Sequence, residues 1–321
     1  MTIRISGTGS ALPEKVITND DLSKIVETND EWISSRTGIR QRRIAGKGES
    51  VVTMGSEAAR RALENAGTEA GEIDLILVAT CSGESYFPST ACQIQAEIHA
   101  DRAVAFDISA ACSGFLFALH TAQAYLSMGV YKKALVIGAE TLSRVIDWTD
   151  RGSCVLFGDG AGACVVETAE TGLMNWVQHS DGSQGGVLVS HASTFPTPSE
   201  PDGHPAVPLQ MDGQAVFKFA VKTVPQCISE VLEQSAINPE EVKYFVLHQA
   251  NKRIIQSVAK RLKVEEEKFP VNLDRRGNTS AASIPILLDE MNREGMLTRG
   301  DLLVLSGFGA GLTWACALLT W

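Results

Sequence analysis

Three residues combine a side chain able to act as nucleophile or hydrogen-bonding group with a local setting that would expose it. Cys112 stands in AFDISAACSGFLFALH, where an apolar strand gives way to an apolar helix. A thiol at the first turn of a helix feels the positive end of the macrodipole, which is expected to lower its pKa and sharpen it as a nucleophile. Ser113 and Gly114 leave room for a substrate to approach the backbone. An inert buried cysteine is the ordinary alternative. It suffices for Cys154, Cys164, Cys227 and Cys316, which lie within apolar runs. His248 closes the run YFVLH and opens HQAN. Strand C-termini are where parallel α/β sheets present ligand-facing groups, the alternative being a capping or solvated histidine. The other five histidines (99, 120, 179, 191 and 204) have no such setting. Asn278, in RRGNTSAASIP, reads by itself as a turn entering a capped helix.

The elements that must position these groups follow from hydrophobic periodicity. LILVAT (75–80), AVAFDIS (103–109), ALVIGAE (134–140) and ACVVE (163–167) read as buried strands, and residues 51–67 and 113–129 as helices ending at glycine. A helix over 217–236, a strand KYFVLH (243–248), a helix from 279 and strands LLVLSG (302–307) and TWACALLTW (313–321) repeat that order. The offset from Asp74 to Lys243 (243 − 74 = 169) equals that from Gly138 to Gly307 (307 − 138 = 169). A fixed offset suggests a duplicated half, with a first domain over 1–175 and a second over 176–321; chance agreement of two βαβ segments is the alternative. The step from Cys81 to Cys112 (112 − 81 = 31) nearly equals the step from His248 to Asn278 (278 − 248 = 30). That spacing places Asn278 at the strand-to-helix junction matching that of Cys112, so Cys, His and Asn can converge between the halves. Five of the eleven prolines fall in 195–208, within a loop-like stretch over 179–213 that is either a linker or a pocket-lining segment.

Gly307-Phe308-Gly309-Ala310-Gly311 follows a strand directly and can turn backbone N–H groups toward an oxyanion; a tight turn is the plainer reading. GTGS (7–10) and GDGAGA (158–163) lack the spacing and context of a dinucleotide or phosphate loop. From Gln249 to Val264 there are five basic residues and no acidic ones. Lys252, Arg253, Lys260 and Lys263 crowd the sector opposite Ile254, Val258 and Leu262, and Lys218 with Lys222 can extend the patch from another helix. A solvated helix face is the first explanation of such a run, yet a basic face beside His248 suits an acidic partner delivering substrate.

The chain has 321 residues, 44% hydrophobic and 21% charged, enough for a sizeable core and typical of globular proteins. Its net charge of −10 argues against non-specific nucleic-acid binding. Seven scattered cysteines without C-x-x-C or H-E-x-x-H argue against a zinc site or redox dithiol. No apolar leader and no run of about 18 apolar residues is present, so a cytoplasmic protein with no membrane span is expected.

Together, DISAACSGF, HQAN, GNTSAAS and the terminal GFGAG resemble the β-ketoacyl-acyl carrier protein synthase III family, the initiating condensing enzymes of type II fatty acid synthesis, over essentially the whole chain. The resemblance implies an α/β, thiolase-like fold of two duplicated halves with mixed sheets, layered α-β-α-β-α. It implies a Cys112–His248–Asn278 triad and an oxyanion hole from the N–H groups of Cys112 and Ala310. The last motif reads GAG where the family often has three glycines, so Ala310 would donate through its backbone alone. Coenzyme A contacts fall on Thr28, Trp32, Arg36, Arg151 and Gly152, and acyl-pocket positions on Leu142, Phe157 and, across a homodimer, Phe87. The carrier-protein segment falls on Gln249, Ala250, Asn251, Lys252 and Arg253, with Lys218 and Lys260 alongside. The substrates would be an acyl-CoA and a malonyl-acyl carrier protein, with no metal or redox cofactor.

A synthase III homologue of specialised metabolism with another acceptor is the nearest alternative. A thiolase would want a second catalytic cysteine, and Cys316 lies within a strand. A papain-like hydrolase would want a different context around Cys112. A non-catalytic acyl-CoA binder would not need the triad.

Overall fold

The computed structural model describes residues 2–199 and 201–321. The strands of the first part are β1 (Thr2–Ala11), β2 (Val16–Thr18), β3 (Gln41–Arg43), β4 (Leu75–Ala79), β5 (Val104–Ile108), β6 (Lys133–Glu140) and β7 (Gly160–Ala169). Those of the second are β8 (Leu173–Ser180), β9 (Leu188–His191), β10 (Val207–Met211), β11 (Tyr244–Leu247), β12 (Leu302–Gly309) and β13 (Thr313–Thr320). The early helices are α1 (Asn19–Leu22), α2 (Asp30–Thr37), α3 (Val51–Ala66), α4 (Thr90–Glu97) and α5 (Gly114–Ser127). The later ones are α6 (Gly213–Gln234), α7 (Lys252–Leu262), α8 (Leu273–Arg276) and α9 (Ser283–Arg293).

Two mixed sheets organise the molecule. The first runs β1-β7-β6-β4-β5, with β4 parallel to β5 and β6, and β7 antiparallel to β6 and β1. The second runs β11-β12-β13-β8, with β11 parallel to β12 and the other pairs antiparallel. This is the first pattern without its outermost parallel strand. The sequence offset seen between Asp74 and Lys243 holds from β4 to β11, from β6 to β12 and from α5 to α9. β8 already belongs to the second sheet and spans the boundary expected at 175/176.

Three apolar clusters give five layers. α3 and α4 cover the outer face of the first sheet through Ala58, Ala62, Leu63 and Ile94. α5 and α9 lie between the sheets, where Phe115, Leu119, Ile284 and Leu288 meet Leu77, Val136, Leu303 and Leu305. α6 and α7 cover the outer face of the second sheet through Val224, Ile228, Ile254 and Val258. The layered thiolase-like α/β arrangement is therefore present.

Two local expectations need correction. AVAFDIS is not a buried strand: β5 is the edge of its sheet, paired only to β4, and Val104 is 47% exposed. The 179–213 stretch is not simply a loop either, because β9 and β10 pair antiparallel within it, leaving the proline-rich connection exposed between them.

Candidate active site

Cys112 occupies a single 3-10 turn, Ala111–Ser113, between β5 and α5. Ala111 has φ +45°, a left-handed conformation that bends the chain sharply before α5 begins. The turn is pinned to the second half: Ser113 Oγ lies 2.8 Å from both Ala110 O and Thr313 Oγ1, and Thr313 Oγ1 donates toward Ala310 O at 3.0 Å. A Cβ on Gly309 would stand 2.5 Å from Cys112 N, so only glycine lets the GFGAG loop press against the nucleophile's backbone.

The resting thiol contradicts the expected low pKa. Burial pushes Cys112 up to about 12; the Ser280 hydroxyl and Cys112's own N–H pull it down, while the Glu140 charge raises it further. At 8% exposure, desolvation of a thiolate outweighs the dipole of α5.

His248 follows β11, and its N–H donates to Ser306 O of β12 at 2.8 Å. Its Nδ1 lies 2.7 Å from Ser283 Oγ, and its ring meets the edge of Phe308 at 5.4 Å between centroids. Burial lowers its pKa to about 3, so the imidazole is neutral. Asn278 is tied by its backbone to Leu156 O and Gly158 N, both at 2.9 Å. Its Oδ1 accepts the Ser280 N–H at 2.8 Å, which leaves the amide NH₂ as the group to offer a ligand. The turn expected at Asn278 is thus present and aims the side chain, but Asn278 does not cap α9, whose N-cap is Ala282 with no side-chain bond.

Cys112, His248 and Asn278 line one cavity of about 310 Å³. Trp32, Arg36, Gly152, Ala250 and Asn251 line the same cavity. The guanidinium carbons of Arg36 and Arg151 sit 4.7 and 4.6 Å from the Trp32 ring centroid. Arg151 also donates to Glu27 O at 3.1 Å, and Thr28 Oγ1 beside it is buried with no hydrogen-bond partner among the described residues. Asn29 caps α2 by accepting the Trp32 N–H at 2.8 Å, and Gly38 ends it at φ +84°. A Cβ on Gly38 would lie 2.6 Å from Lys252 Cβ, so this glycine lets α2 abut α7.

A second cavity of about 520 Å³ shares Cys112, Phe157 and Leu188 with the first. Leu142, Val145, Leu188 and Leu209 supply its apolar lining, with Ala310 at its edge. β9 and β10 therefore wall the site, which decides the 179–213 stretch in favour of a pocket-lining segment. Phe87 is 84% exposed and lines neither cavity of its own chain.

The Gln249–Arg253 segment, expected to meet a carrier protein, is only partly on the surface. Gln249 is fully buried: its Nε2 donates to Leu247 O at 2.8 Å and its Oε1 accepts the Asn272 N–H at 3.1 Å, so it braces the loop and cannot meet a partner. Asn251 caps α7 and donates to Arg36 O at 3.1 Å. Lys252, Arg253 and Lys260 are exposed, with the Arg253 guanidinium 5.7 Å from the Phe217 ring centroid. Lys218 and Lys222, on the neighbouring α6, line a groove with Asp181 and Glu230. Among the described residues, no group of three or more His, Cys, Asp or Glu is placed to hold a metal, and no helix is long and apolar enough to cross a membrane.

Residues 106–182 match the family described as 3-oxoacyl-[acyl-carrier-protein (ACP)] synthase III, and residues 232–321 match its C-terminal family. A β-ketoacyl-[acyl-carrier-protein] synthase III of Clostridium acetobutylicum is 49% identical, over 100% of this chain and 99% of its own. The chain belongs to the synthase III family. The solved 3-oxoacyl-[acyl-carrier-protein] synthase III of Aquifex aeolicus VF5 is 45% identical with a TM-score of 0.92, covering 99% of this chain and 100% of its own. The priming β-ketosynthase of the R1128 polyketide biosynthetic pathway is 39% identical, also with a TM-score of 0.92, covering 99% and 96%.

Four residues of this synthase III family member escaped the sequence reading. Glu140 ends the apolar strand β6 yet is fully buried, and a charge closing an apolar strand was its visible signal. Ser280 and Ser283 lie within the GNTSAAS run; the offset between the halves would have paired Ser280 with Ala111 (280 − 111 = 169), next to the nucleophile. Arg42, also fully buried, donates to Asn19 Oδ1 at 2.8 Å and Val155 O at 2.6 Å, tying β3 to α1 and to the segment before Phe157.

Proposed function

We propose that the protein condenses a short acyl-CoA primer with malonyl-acyl carrier protein to give 3-oxoacyl-acyl carrier protein, the initiating step of type II fatty acid synthesis. The observation that carries this reading is the placement of Cys112, His248 and Asn278 around one cavity, with an apolar chamber beyond the sulfur. The Cys112 sulfur attacks the primer thioester and coenzyme A leaves, giving an acyl-enzyme whose chain occupies the chamber walled by Leu142 and Phe157. Thr28, Trp32, Arg36, Arg151 and Gly152 hold coenzyme A. Malonyl-acyl carrier protein then docks on the exposed cations of α7, among them Lys252, Arg253 and Lys260. Loss of CO₂ leaves an enolate whose oxygen is held by the His248 imidazole N–H and the Asn278 amide, and its carbon attacks the acyl-Cys112 carbonyl. The N–H groups of Cys112 and Ala310 receive the tetrahedral oxygen, each donor contributing about 3 kcal/mol. These steps call for no metal or redox cofactor.

The reading extends to the assembly. Two copies of one βαβ plan meet at the site, in a cytoplasmic homodimer whose Phe87 closes the partner's acyl chamber; its exposure in the protomer supports that role. Steady-state turnover of acetyl-CoA with malonyl-acyl carrier protein, compared with free small acceptors, tests the function. Preferential turnover with the carrier substrate is expected, and preference for a free acceptor would favour the specialised-metabolism reading instead.

A further inference from the structure

Glu140 is a fully buried carboxyl that the condensation steps leave without a role. Thr80 Oγ1 at 3.3 Å, Cys81 N and Sγ at 3.2 Å, Ser82 Oγ, and Ser280 Oγ at 3.1 Å all donate to it. Such a shell of hydroxyl, thiol and amide donors suits a carboxylate. Burial raises the Glu140 pKa, and the bonds from Ser82, Cys81 and Ser280 pull it back down. The titratable groups that bear on it among the described residues are Cys81 and Cys112, and no cation is among them. An unpaired buried charge is costly, and here it lies beside a nucleophile.

Ser280 joins the two. It has φ +50° and is the counterpart in the second half of Ala111, whose φ is +45°. The two 3-10 turns that these residues open, Ser280–Ala282 and Ala111–Ser113, pack against each other. Ser280 and Cys112 line the same chamber on packed turns, the Ser280 hydroxyl donates to Glu140 at 3.1 Å, and its polarity pulls the Cys112 pKa down.

We propose that Ser280 relays the Cys112 proton to Glu140 when the nucleophile is acylated. The inference rests on Cys112 being the nucleophile. As the sulfur lone pair forms the S–C bond to the primer carbonyl, the thiol proton passes to Ser280 Oγ and the Ser280 hydroxyl proton passes to Glu140, whose carboxylate becomes a carboxylic acid. Collapse of the tetrahedral adduct breaks the C–S bond to coenzyme A, which leaves with that electron pair and takes up the proton held on Glu140. The buried site carries one negative charge throughout. Ionising Cys112 to solvent would instead put two anions side by side in a low-dielectric setting, each opposing the other. The high resting pKa of Cys112 then poses no obstacle, because the proton need not leave the site.

Ser280→Gly tests this, because glycine accepts the left-handed backbone at this position while removing the hydroxyl; Glu140→Gln is the second variant. Rapid-quench acylation by acetyl-CoA, located on Cys112 by peptide mapping, is followed from about pH 6 to 9 with thermal unfolding in parallel. The wild-type rate is expected to plateau near neutrality. In either folded variant it should fall about 100-fold near pH 7 and climb roughly tenfold per pH unit, with the KM for acetyl-CoA unchanged. A wild-type rate and pH profile in either folded variant overturns the relay. Failure of the wild type itself to acylate Cys112 overturns the nucleophile assignment instead.

Discussion

His248 Nδ1 and Ser283 Oγ stand 2.7 Å apart, and this pair sets which imidazole nitrogen serves the substrate. Ser283 Oγ also accepts the Gln249 N–H at 3.4 Å. The role proposed for His248 requires its ring proton on Nε2, with Nδ1 accepting the Ser283 hydroxyl. Ser283→Ala should slow condensation roughly tenfold, the worth of one hydrogen bond, while acylation of Cys112 keeps its normal rate. Single-turnover measurements of the two half-reactions check this; an equal loss in both would place Ser283 elsewhere in the mechanism.

The neutral state of His248 has its own signature. Its folded pKa of about 3 lies below the ordinary value of 6.5, so between those values the unfolded chain binds the extra proton. The group therefore contributes stability above pH 6.5 that is lost as pH falls toward 3. Thermal unfolding from about pH 7 to 4.5 should show a steeper loss for the wild type than for His248→Gln. Condensation from preformed acyl-enzyme should show no inflection near pH 6.5.

The surface proposed to dock the carrier protein divides into exposed groups that would touch it and one buried group that supports them. Charge reversal of Arg253 and Lys260, both exposed, should raise KM for malonyl-acyl carrier protein and leave Cys112 acylation intact. Gln249→Ala should act differently, because it strips partners from the buried Leu247 carbonyl and Asn272 N–H and so destabilises the fold by about 1–3 kcal/mol. Steady-state kinetics and chemical denaturation of the two variants separate these effects.

Cys112, His248 and Asn278 were legible because each sits where a strand or turn gives way to a helix, and such junctions keep their local sequence signature. The layered fold was legible for a related reason: alternating apolar runs and a constant offset between halves are properties of the chain itself. The charge state of Cys112 was not, since its burial depends on Gly309, Ser280 and Glu140 arriving from three other segments. Gln249 looked like a surface residue beside a basic helix, and only the path of the chain past Asn272 draws it inward. β5 has the composition of a buried strand, but no strand covers its outer edge in the protomer among the described residues.

The proposed chemistry depends throughout on a covalent acyl group on Cys112. Intact-mass measurement after incubation with acetyl-CoA and a range of short acyl-CoA primers probes that group without relying on any later step. The expected result is a single acyl adduct that maps to Cys112 and disappears in Cys112→Ala. No adduct from any primer, or an adduct that survives that substitution, would contradict it.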